Sequence, residues 1–267
     1  MRSKSVILFY VFILFSTSLT SQDKKDSSGP YGYELVSDVM VPMRDGVKLA
    51  TDLYFPTKKG KRTSGKLPAI LVRTPYSKTR GYPENTSAIY FTSHGYVTVY
   101  QDTRGRYNSE GIWHMLDDDG VDGYDTGKWM IKQPWSNGKY GMYGTSYVGG
   151  TQHAMALEKS PGLTTIIPVD AMSNLGYYSM RYDGAYEIRF WNWIHWAGQG
   201  GGRQSRDPAV KQMLADFIEV ENRRKYLKLF PVRKGTTPLK FMPEYEDWLV
   251  NAMKEGGNTD FWKQNNV

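Results

Sequence analysis

The 267-residue chain is 40% hydrophobic, 14% aromatic and 23% charged, which suits one α/β core with an appendage. Its formal charge is +7, but the basic residues fall in three separate places, the amino terminus, Lys58–Arg62 and Glu221–Lys228, with acids such as the run Asp117–Asp119 between them. No nucleic-acid recognition motif accompanies them, so the expectation is a solvated basic surface and no nucleic-acid partner. The absence of cysteine excludes disulfides, thiolate nucleophiles and thiolate zinc sites. The four histidines, His94, His114, His153 and His195, stand too far apart for a metal motif, and neither metal nor cofactor is expected.

The first residues place Arg2 and Lys4 before an apolar run, Val6–Phe15, followed by small hydroxyl residues. This layout predicts a signal peptide over 1–21, cleaved between Ser18 and Gln22, and hence a secreted or periplasmic protein with no stable membrane span after cleavage. An uncleaved amino-terminal anchor is the alternative. Asp23–Gly32 reads as a polar leader. Two alternating runs, Tyr33–Pro42 and Val47–Phe55, joined by Arg44-Asp45-Gly46, predict a hairpin. Leu67–Arg73 is a continuous apolar run that suits a strand covered on both faces. A helix ending near His94-Gly95, a strand Tyr96–Gln101 and a helix Asp122–Lys132 follow, the last stopped by Gln133-Pro134.

A strand Tyr140–Tyr143, a bend at Ser146, a helix from Tyr147 to about Lys159 and a strand Thr164–Val169 continue the alternation. Strands alternating with helices predict an α/β fold with a mostly parallel sheet and helices on both faces. From about Leu175 the character changes to aromatic-rich helical spacing, with helices over Asp207–Leu229 and Pro243–Lys254 and no strand pattern. That region reads as an inserted helical lid.

The bend Gly144-Thr145-Ser146-Tyr147-Val148-Gly149-Gly150 is where chemistry would sit. A serine between small residues, after a strand and before a helix, suits a nucleophile on a strained turn; the usual pattern is Gly-x-Ser-x-Gly. Here Val148 holds the second glycine's place, so the turn alone also fits an incidental serine.

Three further stretches join it: "VPMRDGVKLATDLYFP" (Val41–Pro56), "RTPYSK" (Arg73–Lys78) and "YQDTRGRYNSEG" (Tyr100–Gly111). Together with the Gly-x-Ser-Tyr-x-Gly bend they resemble the cocaine-esterase and X-Pro dipeptidyl-peptidase-like (CocE/NonD) serine hydrolases, from about Tyr33 to the last residue. The resemblance implies an α/β-hydrolase fold, with the amino-terminal part of the hydrolase domain over 33–174 and a helical lid over 175–267. It further implies Ser146 as nucleophile, the Tyr147 backbone N–H as one oxyanion donor and the Tyr76 hydroxyl as the other. The substrate class would be a small-molecule ester, amide or peptide, cut at an acyl or X-Pro dipeptidyl bond.

Such a serine needs a base and an orienting acid. After Ser146 the chain offers His153, seven residues into the following helix, and His195, in the aromatic segment. Asp170 follows the nucleophile too soon and reads equally as a helix cap. Asp183 and Glu187 are available to a substrate amine or to solvent. The family's acid and base follow the lid, and beyond them lies a β-sandwich domain. The expectation is therefore an amino-terminal fragment, inactive alone, lacking acid, histidine and β-sandwich. The alternative is a non-catalytic secreted binding protein that keeps the fold, with Tyr177–Trp196 as a ligand surface. Oligomeric state is not legible.

Overall fold

The computed structural model describes residues 20–22, 29–80, 86–219, 222, 225–256 and 259–265. The expected signal peptide lies outside these residues apart from its last two positions. Thr20–Gln22 runs as a short strand, β1, antiparallel to the next one. The expected leader lies outside them as far as Ser28.

The predicted hairpin is β2 (Gly32–Pro42) and β3 (Lys48–Lys58). Its turn depends on Gly46 at φ 89°, a conformation that costs glycine nothing, and on the Asp45 carboxylate, which accepts from the Val47 N–H at 3.1 Å. A two-residue strand, β4 (Lys61–Arg62), returns along β3. Then β5 (Leu67–Thr74), β6 (Val97–Asp102), β7 (Ser136–Thr145) and β8 (Leu163–Val169) build the rest of one eight-stranded sheet. Its order is β1-β2-β3-β6-β5-β7-β8, with β4 beside β3.

The four strands β6, β5, β7 and β8 pair in parallel, Leu71 lying opposite Val99 on one side and Met142 on the other. The hairpin joins them antiparallel through β3 and β6, so the sheet is mixed, its parallel half carrying the crossovers. Alternation along the buried strands divides the core. Leu53, Leu71, Val99 and Met142 face Met130 of helix α2 (Asp119–Met130) and Met155 of helix α3 (Tyr147–Leu157). Tyr54, Val72 and Tyr100 face Ala88 of helix α1 (Thr86–Ser93) on the other side.

The remainder is mainly helical: α4 (Arg189–Gly201), α5 (Pro208–Ile218), α6 (Pro243–Lys254) and α7 (Asp260–Asn265), with short 3-10 turns between. The expectation of no strand after Leu175 is corrected by a minimal hairpin, β9 (Arg181–Tyr182) and β10 (Ala185–Tyr186). Two residues per strand leave no alternation to read, but its turn is an Asp-Gly pair with Asp183 at φ 47° and Gly184 at φ 85°. The expected helix Asp207–Leu229 is also shorter: α5 stops at Ile218 because Glu219 is extended. Asp207 caps it by accepting the Ala209 N–H at 2.8 Å, with Pro208 in the first turn.

These helices close on an aromatic core of Trp191, Phe217, Tyr245, Trp248 and Trp262, which also takes in Trp113 and Tyr147 from the sheet side. Among the described residues no helix is long and apolar enough to cross a membrane.

Candidate active site

Ser146 sits where β7 ends and α3 begins, at φ 60° and ψ −123°. A non-glycine residue rarely adopts that backbone, at a cost on the order of 1–3 kcal/mol, so surrounding contacts must impose it. They are visible. The Ser146 N–H donates to the Val169 carbonyl of β8 at 3.0 Å, and its own carbonyl accepts from Gly149 and Gly150. A Cβ on Gly144 would stand 2.2 Å from Val148 Cγ1, and one on Gly149 would stand 2.5 Å from Ala171 Cβ. The glycines that the bend requires are therefore Gly144 and Gly149. Val148 at the usual second-glycine position is accommodated because its side chain fills the space that Gly144 leaves open.

Tyr147 opens α3, so its N–H has no intrahelical acceptor and lies at the positive end of the helix. Its side chain is fully buried. The hydroxyl donates to Asp119 Oδ2 at 2.8 Å and accepts from the Leu116 N–H at 2.9 Å. Asp119 also faces Arg73, with Nη2 3.2 Å from Oδ1, while Nη1 donates to the Asp119 carbonyl. Arg73 Nε donates to Gln101 Oε1 at 2.9 Å. Burial pushes the Asp119 carboxyl up to about 6, against the pull of Arg73 and the Tyr147 hydroxyl. The nucleophile's neighbour is thus held from below by a buried ionic network.

Tyr76 lies in the turn after β5. Thr74 Oγ1 accepts the Tyr76 N–H at 3.0 Å, and Arg106 Nε donates to the Pro75 carbonyl at 2.8 Å. Asp102 Oδ1 accepts the Lys78 N–H at 2.6 Å. Lys78 is itself buried, its Nζ 2.8 Å from Asp52 and 3.0 Å from Asp38. This turn places the Tyr76 side chain beside Ser146 and beside Trp193 of α4. Burial raises the phenol's pKa, and those two contacts pull it back. Tyr76 and Tyr147 meet edge to face at 6.3 Å. Ser146, the start of α3 and Tyr76 are therefore brought together, although Tyr76 comes from a separate stretch of sequence about 70 residues earlier.

The remaining candidates stand elsewhere. The His153 ring Nδ1 lies 3.1 Å from the Met172 carbonyl. His195 is fully buried, stacked on Phe217 at 4.2 Å, with Nδ1 2.7 Å from the Trp191 carbonyl and Nε2 without a hydrogen-bond partner. Burial holds its pKa down to about 4. Asp170 is exposed at φ 43° in a loop, and the next helix starts only at Arg189, so it caps none. Asp183 is exposed, and Glu187 pairs with Arg189 at 2.9 Å. Among the described residues no cluster of acids and histidines could hold a metal.

Residue-by-residue reading missed Trp193, Arg73, Asp119 and Arg106. A cation at the end of an apolar strand, such as Arg73, calls for a buried acid, and the run Asp117–Asp119 supplies it rather than serving only the surface. Trp193 carried no signal that set it apart from Trp191 or Trp196.

Known proteins support the architecture. An X-Pro dipeptidyl-peptidase family (S15 family) matches residues 45–267. A cocaine esterase from Rhodococcus sp. is 37% identical over 193 residues, 70% of this chain and 33% of that protein. The chain thus spans about a third of that relative's length. A CocE/NonD family hydrolase from Staphylococcus aureus shares the fold, with a TM-score of 0.62 at 20% identity over 88% of this chain and 39% of that one. An α-amino acid ester hydrolase structure superposes with a TM-score of 0.54 at 26% identity, over 86% of this chain and 42% of that one. The strained serine and the family match fall on the same residues, and the chain belongs to the X-Pro dipeptidyl-peptidase (S15) family of serine hydrolases.

Proposed function

We propose that this chain carries the nucleophile and the oxyanion donors of an exported serine hydrolase that cleaves ester or amide bonds. Its helical region, from about Leu175, acts as the lid. The observation that carries the reading is Ser146, held at φ 60° at the head of α3, with the Tyr76 side chain beside it. The Ser146 hydroxyl passes its proton to a general base as its oxygen adds to the substrate carbonyl. The carbonyl oxygen becomes an oxyanion facing the Tyr147 N–H and the Tyr76 O–H. Collapse breaks the carbon–heteroatom bond and returns the proton to the departing alcohol or amine. Water repeats the cycle on the acyl-serine.

Neither histidine that follows Ser146 is placed to serve as that base. His195 is sealed in an aromatic core, and His153 contacts the Met172 carbonyl. Labelling the full-length hydrolase with a fluorophosphonate and mapping the adduct tests the assignment. An adduct on Ser146, absent from Ser146→Ala, is expected, with the 267-residue chain alone unlabelled. An adduct on another residue, or labelling that survives Ser146→Ala, rules the assignment out.

A further inference from the structure

Three of the described arginine and lysine side chains are buried: Arg73, Lys78 and Arg106. Arg73 faces Asp119 and Lys78 faces Asp52 and Asp38, whereas no described carboxylate stands within ion-pair distance of Arg106. Its partners are neutral. Nε donates to the Pro75 carbonyl at 2.8 Å and Nη1 donates to the Tyr245 hydroxyl of α6. The ring centroids of Tyr107, Trp113 and Tyr245 lie 5.5, 5.8 and 5.8 Å from Cζ. Carbonyls, hydroxyls and ring faces solvate a guanidinium, but they leave its charge uncompensated, and such a charge in a dry interior costs stability. An apolar side chain would fill the same space without that cost, so the charge calls for another account.

Its place supplies one. Pro75 is the residue before Tyr76, so the guanidinium grips the peptide that carries the proposed oxyanion donor. Tyr76 meets Tyr147 edge to face at 6.3 Å, which sets that peptide beside the nucleophile's turn. During acyl transfer a negative charge develops there, and it is the counter-charge that Arg106 otherwise lacks. Burial raises the Tyr76 phenol's pKa, and the Arg106 charge is among the influences that lower it, so its field reaches that ring. The far end of the guanidinium is fixed by Tyr245, which is fully buried and stacked on Trp113 at 4.7 Å.

We infer that Arg106 is a positioning residue for the oxyanion hole: it fixes the Pro75–Tyr76 turn, is itself held by Tyr245 of the helical region, and keeps an uncompensated positive charge beside the turn where the oxyanion forms. This rests on the serine-hydrolase reading above.

The test is a double-mutant cycle in the full-length hydrolase, with p-nitrophenyl butyrate as the probe ester. Arg106→Met keeps much of the volume and removes both the charge and the fork. It is expected to lower kcat about 10–10²-fold, with KM within about threefold. Tyr76→Phe is expected to lower kcat about 10²–10³-fold. The double variant should be no slower than Tyr76→Phe, because Arg106 acts through that turn. Multiplied losses in the double variant, a loss confined to KM, or full activity in Arg106→Met overturns the role while leaving the nucleophile assignment standing. Full activity in Tyr76→Phe removes the oxyanion reading and this role together.

Two further measurements guard against a merely structural effect. Tyr245→Phe leaves the ring on Trp113 and deletes only the hydroxyl that holds Nη1, so it decides the matter even where Arg106→Met does not fold. Its kcat should fall about three- to tenfold, and unchanged kcat overturns the inference. Butylboronic acid forms an adduct on the serine that carries the negative charge of the tetrahedral intermediate. Its affinity should fall about 10–10²-fold in Arg106→Met, in step with kcat/KM. An unchanged boronate affinity overturns the inference.

Discussion

The two sides of the candidate site are built from different materials. On the sheet side, the turn at Tyr76 and the start of α3 are fixed by buried charges: Arg73 with Asp119, Lys78 with Asp52, and Arg104 with Asp122 at 2.6 Å. On the helical side, the walls are almost wholly aromatic and aliphatic, and Trp193, His195 and Phe217 meet neighbours through ring contacts. Ionic pairs in a dry interior tolerate one geometry, whereas apolar packing tolerates several. The difference teaches that placement of Ser146 and Tyr76 is assigned to the sheet side. The helical side, packed largely through apolar contacts, is the one that can adjust.

The largest expected effect breaks the charged side. Asp119→Ala removes the nearest carboxylate from the Arg73 guanidinium, leaving Asp122 at 4.0 Å, and the acceptor from the Tyr147 hydroxyl, both groups being fully buried. The loss should be about 3–5 kcal/mol in urea denaturation. An equally buried apolar change of similar volume on the other side, Leu214→Met, should cost less than about 1.5 kcal/mol. Equal losses for the two would erase the contrast between the regions.

A middle-sized effect tests the bend itself. Gly149→Ala drives a methyl against Ala171 Cβ and should cost about 1–3 kcal/mol, with partial recovery in the Gly149→Ala/Ala171→Gly pair. The same pair should recover part of the lost fluorophosphonate labelling, because the strained Ser146 conformation depends on that close approach. A Gly149→Ala protein as stable as the parent would show that α3 and the loop after β8 can part without cost.

Much of this was legible in the sequence, and what was not has identifiable physical reasons. The hairpin, β5, β6 and β7 announced themselves because burial on one or both faces writes a run of apolar residues, and Asp45-Gly46 writes a turn. Helix α2 starts at Asp119 rather than at the expected Asp122, because Asp119 is in the interior as the partner of Arg73, a long-range demand that local pattern cannot carry. The pairing of Tyr76 with Ser146 was reached through family likeness rather than through spacing. The Trp193 contact was not reached at all, since three tryptophans within six residues look alike until the helix is placed on the sheet.

The last prediction separates the two regions by pH. Burial pushes the Asp102 carboxyl, in the turn beside Tyr76, up to about 7 from an ordinary 3.8, with Lys78 opposing and Asp52 adding to the rise. A carboxyl that holds its proton more tightly when folded contributes stability that is complete below about pH 4 and is lost as pH rises through about 7. Asp119 acts in the same direction, to about 6. His195, on the helical side, does the opposite. Its pKa falls from 6.5 to about 4, so its contribution is complete above about pH 6.5 and is lost as pH falls toward 4. Asp102→Asn keeps an acceptor for the Lys78 N–H and mimics the neutral acid. Its Tm should match the parent near pH 4 and exceed it increasingly up to pH 8. His195→Phe should lose the decline that the parent shows between pH 6.5 and 4 while leaving the Asp102 range untouched. Thermal melts of the three proteins across pH 4–8 decide it. A His195→Phe curve parallel to the parent's would mean that the imidazole is protonated and partnered inside the aromatic core, and the helical side would then not be the uncharged one.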